Sequence, residues 1–367
     1  MRGHRLGSLV LSGSLFCAAL AACGGSEPPP AAAPAPAPMP EIASASAAPA
    51  DTTPPPPPEP TPEEAKKAKA AKELREERAK WEGAKAAEIA RWTPDVRAAA
   101  KALTDKAYPT LAAALKAVLA GPQRKPGDAE RDKFRHPQET LAFFGLRPNM
   151  TVLEVGPGEG WYTAILAPTL AAKGKLYDTA SDPNGPDDSR STLYGQRWQA
   201  FVSNAPEVYG KVQTVIIDGK APSLASIPPG SVDEALLIRE VHGLVSTGSW
   251  GTWLGELHKV LKTGGTLGIV EHRAKPDADP MVSAKQGYVP EKWVIDQVTA
   301  AGFKLAGKSE INANTKDTKD YPEGVWALPP SLERGEKDRD AMKAIGESDR
   351  MTLKFVKTAD AAAAKKK

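Results

Sequence analysis

The sequence predicts an α/β fold: a doubly wound, mostly parallel sheet with an antiparallel edge hairpin, preceded by a helical segment and a disordered linker. Three observations carry this reading. After Gly121, short apolar runs alternate with amphipathic stretches of helix length, the order that covers a parallel sheet with helices on both faces. The stretch "VLEVGPGEGWYT" (152–163) ends the first apolar run in alternate glycines, where such sheets bind ligands. The last two apolar runs have no helix-length apolar pattern directly between them, which suits an antiparallel pair.

The N-terminal elements come first. Residues 1–23 carry Arg2, His4 and Arg5, then an apolar run from Leu9 to Leu20, then small residues, the three-part build of a secretory signal. That run is too short to span a membrane well. Its end, Leu20-Ala21-Ala22-Cys23 before Gly24-Gly25, resembles the bacterial lipobox. The resemblance implies lipidation at Cys23 and a membrane anchor of several acyl chains; the alternative is an ordinary cleaved signal and a free protein. Gly24 after the cysteine gives no obvious inner-membrane retention signal, so an exported lipoprotein on the periplasmic face of the outer membrane is expected. The other cysteine, Cys17, leaves with the signal, so no disulfide and no thiol metal site is expected.

Residues 24–61 are rich in Pro, Ala and Ser, a composition that buries nothing and favours extended polyproline II. At roughly 3.1 Å per residue it makes a tether on the order of 100 Å long. A helical segment occupies 62–125. Its first part, 62–92, combines strong helix formers with interspersed charges and almost no aliphatic stripe, which reads as an exposed helix. Pro94 and Pro109 open two shorter helices whose Leu and Val recur at helical spacing, so these dock on the domain C-terminal to them.

The main domain is read over 126–358. Strands are expected at 151–156, 174–180, 212–218, 232–240, 265–272, 303–310 and 350–357, with helices at 161–172, 194–205, 252–263 and 290–302 and another starting near Pro137. Residues 359–367 form a low-complexity tail, expected to be disordered. Charges nearly cancel, 48 Lys+Arg against 45 Asp+Glu, so no global field favours nucleic acid as a partner.

The glycine loop reads Glu154-Val155-Gly156-Pro157-Gly158-Glu159-Gly160. Its spacing, E-x-G-x-G-x-G, differs from the G-x-G-x-x-G dinucleotide fingerprint, and an acid two residues before the first glycine suits an ammonium-bearing ligand better than a pyrophosphate. A dinucleotide oxidoreductase is thereby disfavoured. With "RDKFRHPQETLAFFGLRP", "GWYTAILAP", "IREVHGLV" and "VLKTGGTLGIVEHRA" in order along the chain, residues 126–357 resemble the class I S-adenosylmethionine-dependent methyltransferases, and within them a family of predicted bacterial methyltransferases, often exported.

That resemblance implies S-adenosylmethionine as cofactor, held by Gly156, Gly158 and Gly160 with Glu154 behind them. It implies an acid at the end of the second strand for the ribose, Asp178 with Asp182 next, and Asp218 near the adenine. The catalytic candidates lie at the ends of strands four and five: Arg239, Glu240 and His242, then Glu271, His272 and Arg273, with His242, His272 and Arg239 preferred. A histidine titrates near neutrality and can take an acceptor proton, though a buried imidazole bonded to backbone is an equal reading. Glu240, His242, Glu271 and His272 also offer metal ligands, but no tight H-x-H or H-x-x-x-H pair supports this, and no metal is expected.

Arg131, Asp132, Arg135 and His136 precede a helix, where Arg135 and His136 either line the site or fix local structure. Trp161 and Tyr162 are expected to pack a helix on the sheet, and His258 to be an exposed helix position. Two classes of function follow: a lipid-tethered methyltransferase acting on a small-molecule or envelope-component acceptor, favoured by the glycine loop, or a binding module that kept the fold, favoured by the export signal.

Overall fold

The computed structural model describes residues 60–219 and 221–359. The signal segment with Cys23, the linker as far as Glu59 and the tail from Asp360 lie outside them. Among the described residues no helix is long and apolar enough to cross a membrane.

The first helix, α1 (Pro62–Arg91), starts where its sequence dictates. Thr61 and Glu64 form a reciprocal capping box, with Pro62 in the first turn. Only Leu74 of its residues is buried, in keeping with the missing aliphatic stripe. Helices α2 (Pro94–Thr104) and α3 (Leu111–Val118) are each capped by the threonine before them and bury their apolar faces. Then come α4 (Asp132–Arg135) and α5 (Pro137–Phe144), joined at His136.

The rest of the chain runs in alternation: β1 (Thr151–Val155), α6 (Thr163–Leu170), β2 (Lys175–Ala180), α7 (Arg190–Asn204), α8 (Pro206–Tyr209) and β3 (Gln213–Ile216). Next are β4 (Val232–Ile238), α9 (Val241–Ser246), α10 (Trp250–Val260), β5 (Leu261–His272), α11 (Pro280–Ser283) and α12 (Glu291–Ala300). The described chain ends with β6 (Phe303–Ser309), α13 (Arg339–Ile345) and β7 (Arg350–Lys357). All seven expected strands form, in the order β3-β2-β1-β4-β5-β7-β6.

Pairing is parallel from β3 through β5, and β7 runs antiparallel to both β5 and β6. The fold is therefore the predicted Rossmann-like, doubly wound α/β sheet. Its reversed edge is wider than a simple hairpin, because 310–349, with α13, separate the two strands. Strand β5 begins at Leu261, where a helix was expected to run on to Thr263. Leu261 instead pairs with Val232, and Gly264 takes φ 81°, a left-handed turn that breaks the helical path.

Alternating strand residues feed two cores, one on each face. Val152, Leu176, Leu236 and Val270 pack beneath α2, α3, α5 and α6, while Leu153, Leu237, Leu267 and Ile269 pack beneath α9, α10 and α12. The helical segment thus shares a core with the sheet. Strand order reverses between β1 and β4, which stay paired as far as Val155 and Leu237, and the crevice in which sheets of this kind bind ligands lies outside the carboxyl ends of those two strands.

Candidate functional site

At the tip of β1, Gly156, Gly158 and Gly160 adopt φ of 64°, 57° and 80°, a left-handed conformation that glycine takes without penalty. The three differ in what surrounds them. A Cβ on Gly156 would lie 2.3 Å from the Glu240 carboxyl carbon, and one on Gly160 2.3 Å from the Phe201 ring, whereas one on Gly158 would meet nothing within 4 Å. Gly158 alone presents bare main chain to open space. The Gly156 N–H donates to Thr179 Oγ1 at 2.9 Å and ties the loop to β2. Between the loop, Thr179, Ser181, Tyr194 of α7 and Glu240 lies a cavity of about 420 Å³.

The two acids assigned beside this loop lie underneath it. Glu154 and Asp178 face each other across the β1–β2 pairing, both buried. Thr163 Oγ1 donates to Glu154 Oε2 at 2.8 Å. Burial, and each carboxylate's proximity to the other, raise Asp178 well above the usual carboxylate range; burial also raises Glu154. Protonation of either carboxyl would relieve the repulsion. Asp178 is 0% exposed, so in this fold it has no surface to offer a ribose. Asp182, beyond β2, is exposed, and its Oδ1 accepts from the Asn184 N–H at 2.9 Å. Asp218 is exposed after β3 and does not line this cavity.

A second cavity, of about 230 Å³, opens at the carboxyl end of β4, lined among others by Arg239, Glu240, His242, His272, Trp326 and Ser348. The structure brings together here the three residues preferred for catalysis. Arg239 sits at φ 64°, a left-handed backbone costing on the order of 1–3 kcal/mol for a side-chain-bearing residue. His242, in the first turn of α9, places Nδ1 at 3.0 Å from Glu271 Oε1. Glu271 is fully buried and also accepts the backbone N–H groups of His242 and His272. His272 Nδ1 lies 2.5 Å from Ser348 Oγ, and the two imidazole centroids are 5.5 Å apart. With Nδ1 engaged on each ring, Nε2 is the atom each has left for a ligand.

Charge separates the two histidines. Burial would lower His242, but the charge and hydrogen bond of Glu271 outweigh it and raise His242 above the usual histidine value. Burial, with His242 and Arg239 nearby, holds His272 well below that value, so it is neutral near pH 7. Glu240 lines both cavities, and burial pushes its carboxyl up to about 8.

His242, Glu271 and His272 can bring donor atoms within 4.8 Å of one another. Glu271, however, already accepts two backbone N–H groups and the His242 ring. Arg239, Arg350 and Arg135 add positive charge around His272. The arrangement fits an imidazole base with an orienting carboxylate better than a cation site.

Other candidates fall elsewhere. Arg273 is a strut, paired with Glu291, Glu310 and Asp349. Arg135 is buried against Trp161, its guanidinium 4.7 Å from the ring centroid, and pairs with Glu347. His136 forms the α4–α5 junction at φ 41°. Trp161 and Tyr162 are buried in the core, as expected of packing residues. His258 is half-buried, edge-on to Phe303 at 5.4 Å, rather than exposed.

Sequence reasoning missed Trp326, Glu347, Ser348 and Arg350. All come from 310–350, where no motif stands out, and the one available signal was charge, Glu347 and Arg350, flanking the start of the last apolar strand.

No family model and no curated protein matches the chain. Solved structures do align with it. A SAM-dependent methyltransferase from Aquifex aeolicus is 23% identical over 51% of this chain and 88% of that one, with a TM-score of 0.39. A Burkholderia thailandensis 1,6-didemethyltoxoflavin-N1-methyltransferase with bound S-adenosylhomocysteine is 15% identical over 63% and 80%, TM-score 0.37. A geranyl diphosphate methyltransferase in complex with SAM is 12% identical over 66% and 95%, TM-score 0.39. Identities this low transfer no residue roles to this chain.

Proposed function

We propose that the protein is an S-adenosylmethionine-dependent methyltransferase, exported as a lipoprotein anchored through Cys23 at the periplasmic face of the outer membrane, acting on a small-molecule or envelope-component acceptor. One observation carries the enzymatic reading: the cavity at the glycine loop and the cavity at His242 adjoin at a single residue, Glu240. A donor beside Gly158 and an acceptor beside His242 would meet there, and holding two reactants in line supplies most of the catalysis in a displacement.

Residues at the first cavity fit such a cofactor, because Gly158 lines it with open main chain in a left-handed conformation that any Cβ would strain. Gly158, Thr179, Ser181 and Tyr194 would hold it. Ser181, with Asp182 beside it, replaces Asp178 as the group for the ribose. When bound, the cofactor supplies a methyl group on a sulfonium sulfur. Glu271 fixes the proton of His242 on Nδ1 and leaves Nε2 to take a proton from the acceptor.

Titration of the full chain with S-adenosylmethionine and S-adenosylhomocysteine tests the reading. Micromolar binding that survives Asp218→Ala and Asp178→Asn but not Gly158→Arg supports it. Binding of neither compound favours the other class, a ligand-binding module, to which the closeness of the Glu240 carboxyl to Gly156 would then be the clue. Export has its own test: incorporation of labelled fatty acid that disappears in Cys23→Ala.

A further inference from the structure

Four arginines gather behind the second cavity, and their counter-charge is short. Arg131, Arg135 and Arg350 all pair with one carboxylate, Glu347, at 2.7, 3.2 and 2.8 Å. Arg239, on the cavity wall, makes no hydrogen bond or ion pair through its side chain among the described residues, and its Nε is buried without a partner. Arg135 Nη2, Arg131 Nη2 and Arg350 Nε are also buried and unbonded. Arg135 and Arg350 are only 2% and 3% exposed. Burial of uncompensated charge is strongly unfavourable, so such a cluster persists when something else requires it.

Backbone strain sits at the same place. Among the described non-glycine residues five have positive φ, and two of them, His136 and Arg239, adjoin or belong to this cluster. Strain of this kind concentrates at ligand sites. Of the remaining walls, His272, Trp326, Pro329 and Pro330 carry no negative charge, Glu347 is already shared three ways, and Glu240, whose carboxyl burial pushes up to about 8, makes no ion pair with Arg239.

We propose that the cavity at Arg239 is an oxyanion subsite, so that the acceptor is an acid, carrying a carboxylate or a phosphate that docks on Arg239 beside His242. This deepens the methyltransferase reading and rests on it for the word acceptor. The subsite itself stands on the arginine cluster. Guanidinium forks match both oxyanions with paired N–H donors, and the two sources are separable by experiment.

The test is calorimetry of the full chain at low chloride, with benzoate, inorganic phosphate and, as the uncharged match, benzamide. Benzoate or phosphate is expected to bind at least tenfold more tightly than benzamide. Preference for benzoate identifies organic acids, and preference for phosphate identifies phosphate esters. Arg239→Gly suits the left-handed backbone and so keeps the fold. It is expected to weaken the anion at least tenfold, with Arg239→Lys in between.

Equal binding of all three probes overturns the proposal, as does unchanged anion binding in Arg239→Gly. S-adenosylhomocysteine titrated into the same protein keeps the two readings apart. Anion binding without cofactor binding defeats methyl transfer and leaves the subsite, and cofactor binding without anion binding does the reverse.

Discussion

His242 Nδ1 lies 3.0 Å from Oε1 of Glu271, a carboxylate at 0% exposure whose other contacts are the backbone N–H groups of His242 and His272. The groups facing His242 are Glu271 and Glu240, which raise its proton affinity, Arg239, which lowers it, His272 and the edge of Trp326. A base must be deprotonated to act, so turnover is expected to rise with pH through the raised His242 pKa. Glu271→Gln removes the charge that holds this value up and moves the acidic limb of the rate profile to lower pH. It also disturbs the tautomer, so the plateau falls too. His242→Ala is expected to lower turnover about 10²–10⁴-fold, the usual contribution of a positioned base, with S-adenosylhomocysteine affinity unchanged. A rate indifferent to both changes would show that the acceptor carries no proton to remove.

Gly158 separates backbone strain from steric blockage. With open space around an added Cβ, Gly158→Ala brings only the left-handed penalty, roughly 1–2 kcal/mol, and is expected to weaken cofactor binding by at most about tenfold. Gly158→Arg fills the cavity and is expected to abolish binding. If calorimetry found both variants binding as the parent does, the cavity at this loop would not be the cofactor site.

Buried acids give the fold a characteristic pH dependence. Asp178, Glu154, Glu234 and Glu240 all have carboxyls raised by burial, the last two to about 8. Between an ordinary carboxylate pKa near 4 and these raised values, the unfolded chain loses protons that the folded one keeps, so the contribution of these four acids to stability falls as pH rises from about 4 to about 8. Asp178→Asn keeps a donor toward Glu154 and cannot ionise. Its denaturant midpoint is expected to exceed the parent's at pH 8 by more than at pH 5. Parallel curves for the two proteins would show that Asp178 ionises normally.

Range along the chain decides which features are legible in the sequence. Strands and helices are local patterns, and the alternation after Gly121 places all seven strands. The three glycines are legible because their left-handed backbone restricts residue type at the position itself. For Asp178 the sequence shows an acid near a strand end but not which way it faces. Here the parallel register sets Asp178 against Glu154 inside the sheet. The pairing of His242 with Glu271 and of His272 with Ser348 spans 29 and 76 residues, and such contacts exist only once β4, β5 and β7 lie side by side. Glu347 meets Arg131 and Arg135 across an even longer separation, for the same reason.

The first helix is held in a way that salt should reveal. Leu74 is its one buried residue, and its middle is tied to α7 by Glu73 and Glu77 with Arg190, by Glu77 with Arg197 at 2.8 Å, and by Arg78 with Gln196 at 2.7 Å. Arg197 also pairs with Glu159 of the glycine loop, so α1 and the loop share a charge. The C-terminal end is secured differently, by Arg91 on the carbonyls of Pro122 and Gln123 and by the buried Trp92. Exposed pairs contribute about 0.2–1 kcal/mol each and are screened within a Debye length of roughly 3 Å at 1 M salt. Amide hydrogen exchange across 62–80 is therefore expected to accelerate several-fold between 50 mM and 1 M salt, with α6 unaffected, and Arg197→Ala is expected to reproduce the effect at low salt. Exchange in 62–80 that ignores both salt and Arg197→Ala would mean that packing around Leu74, and not charge, keeps the helix in place over Gly158.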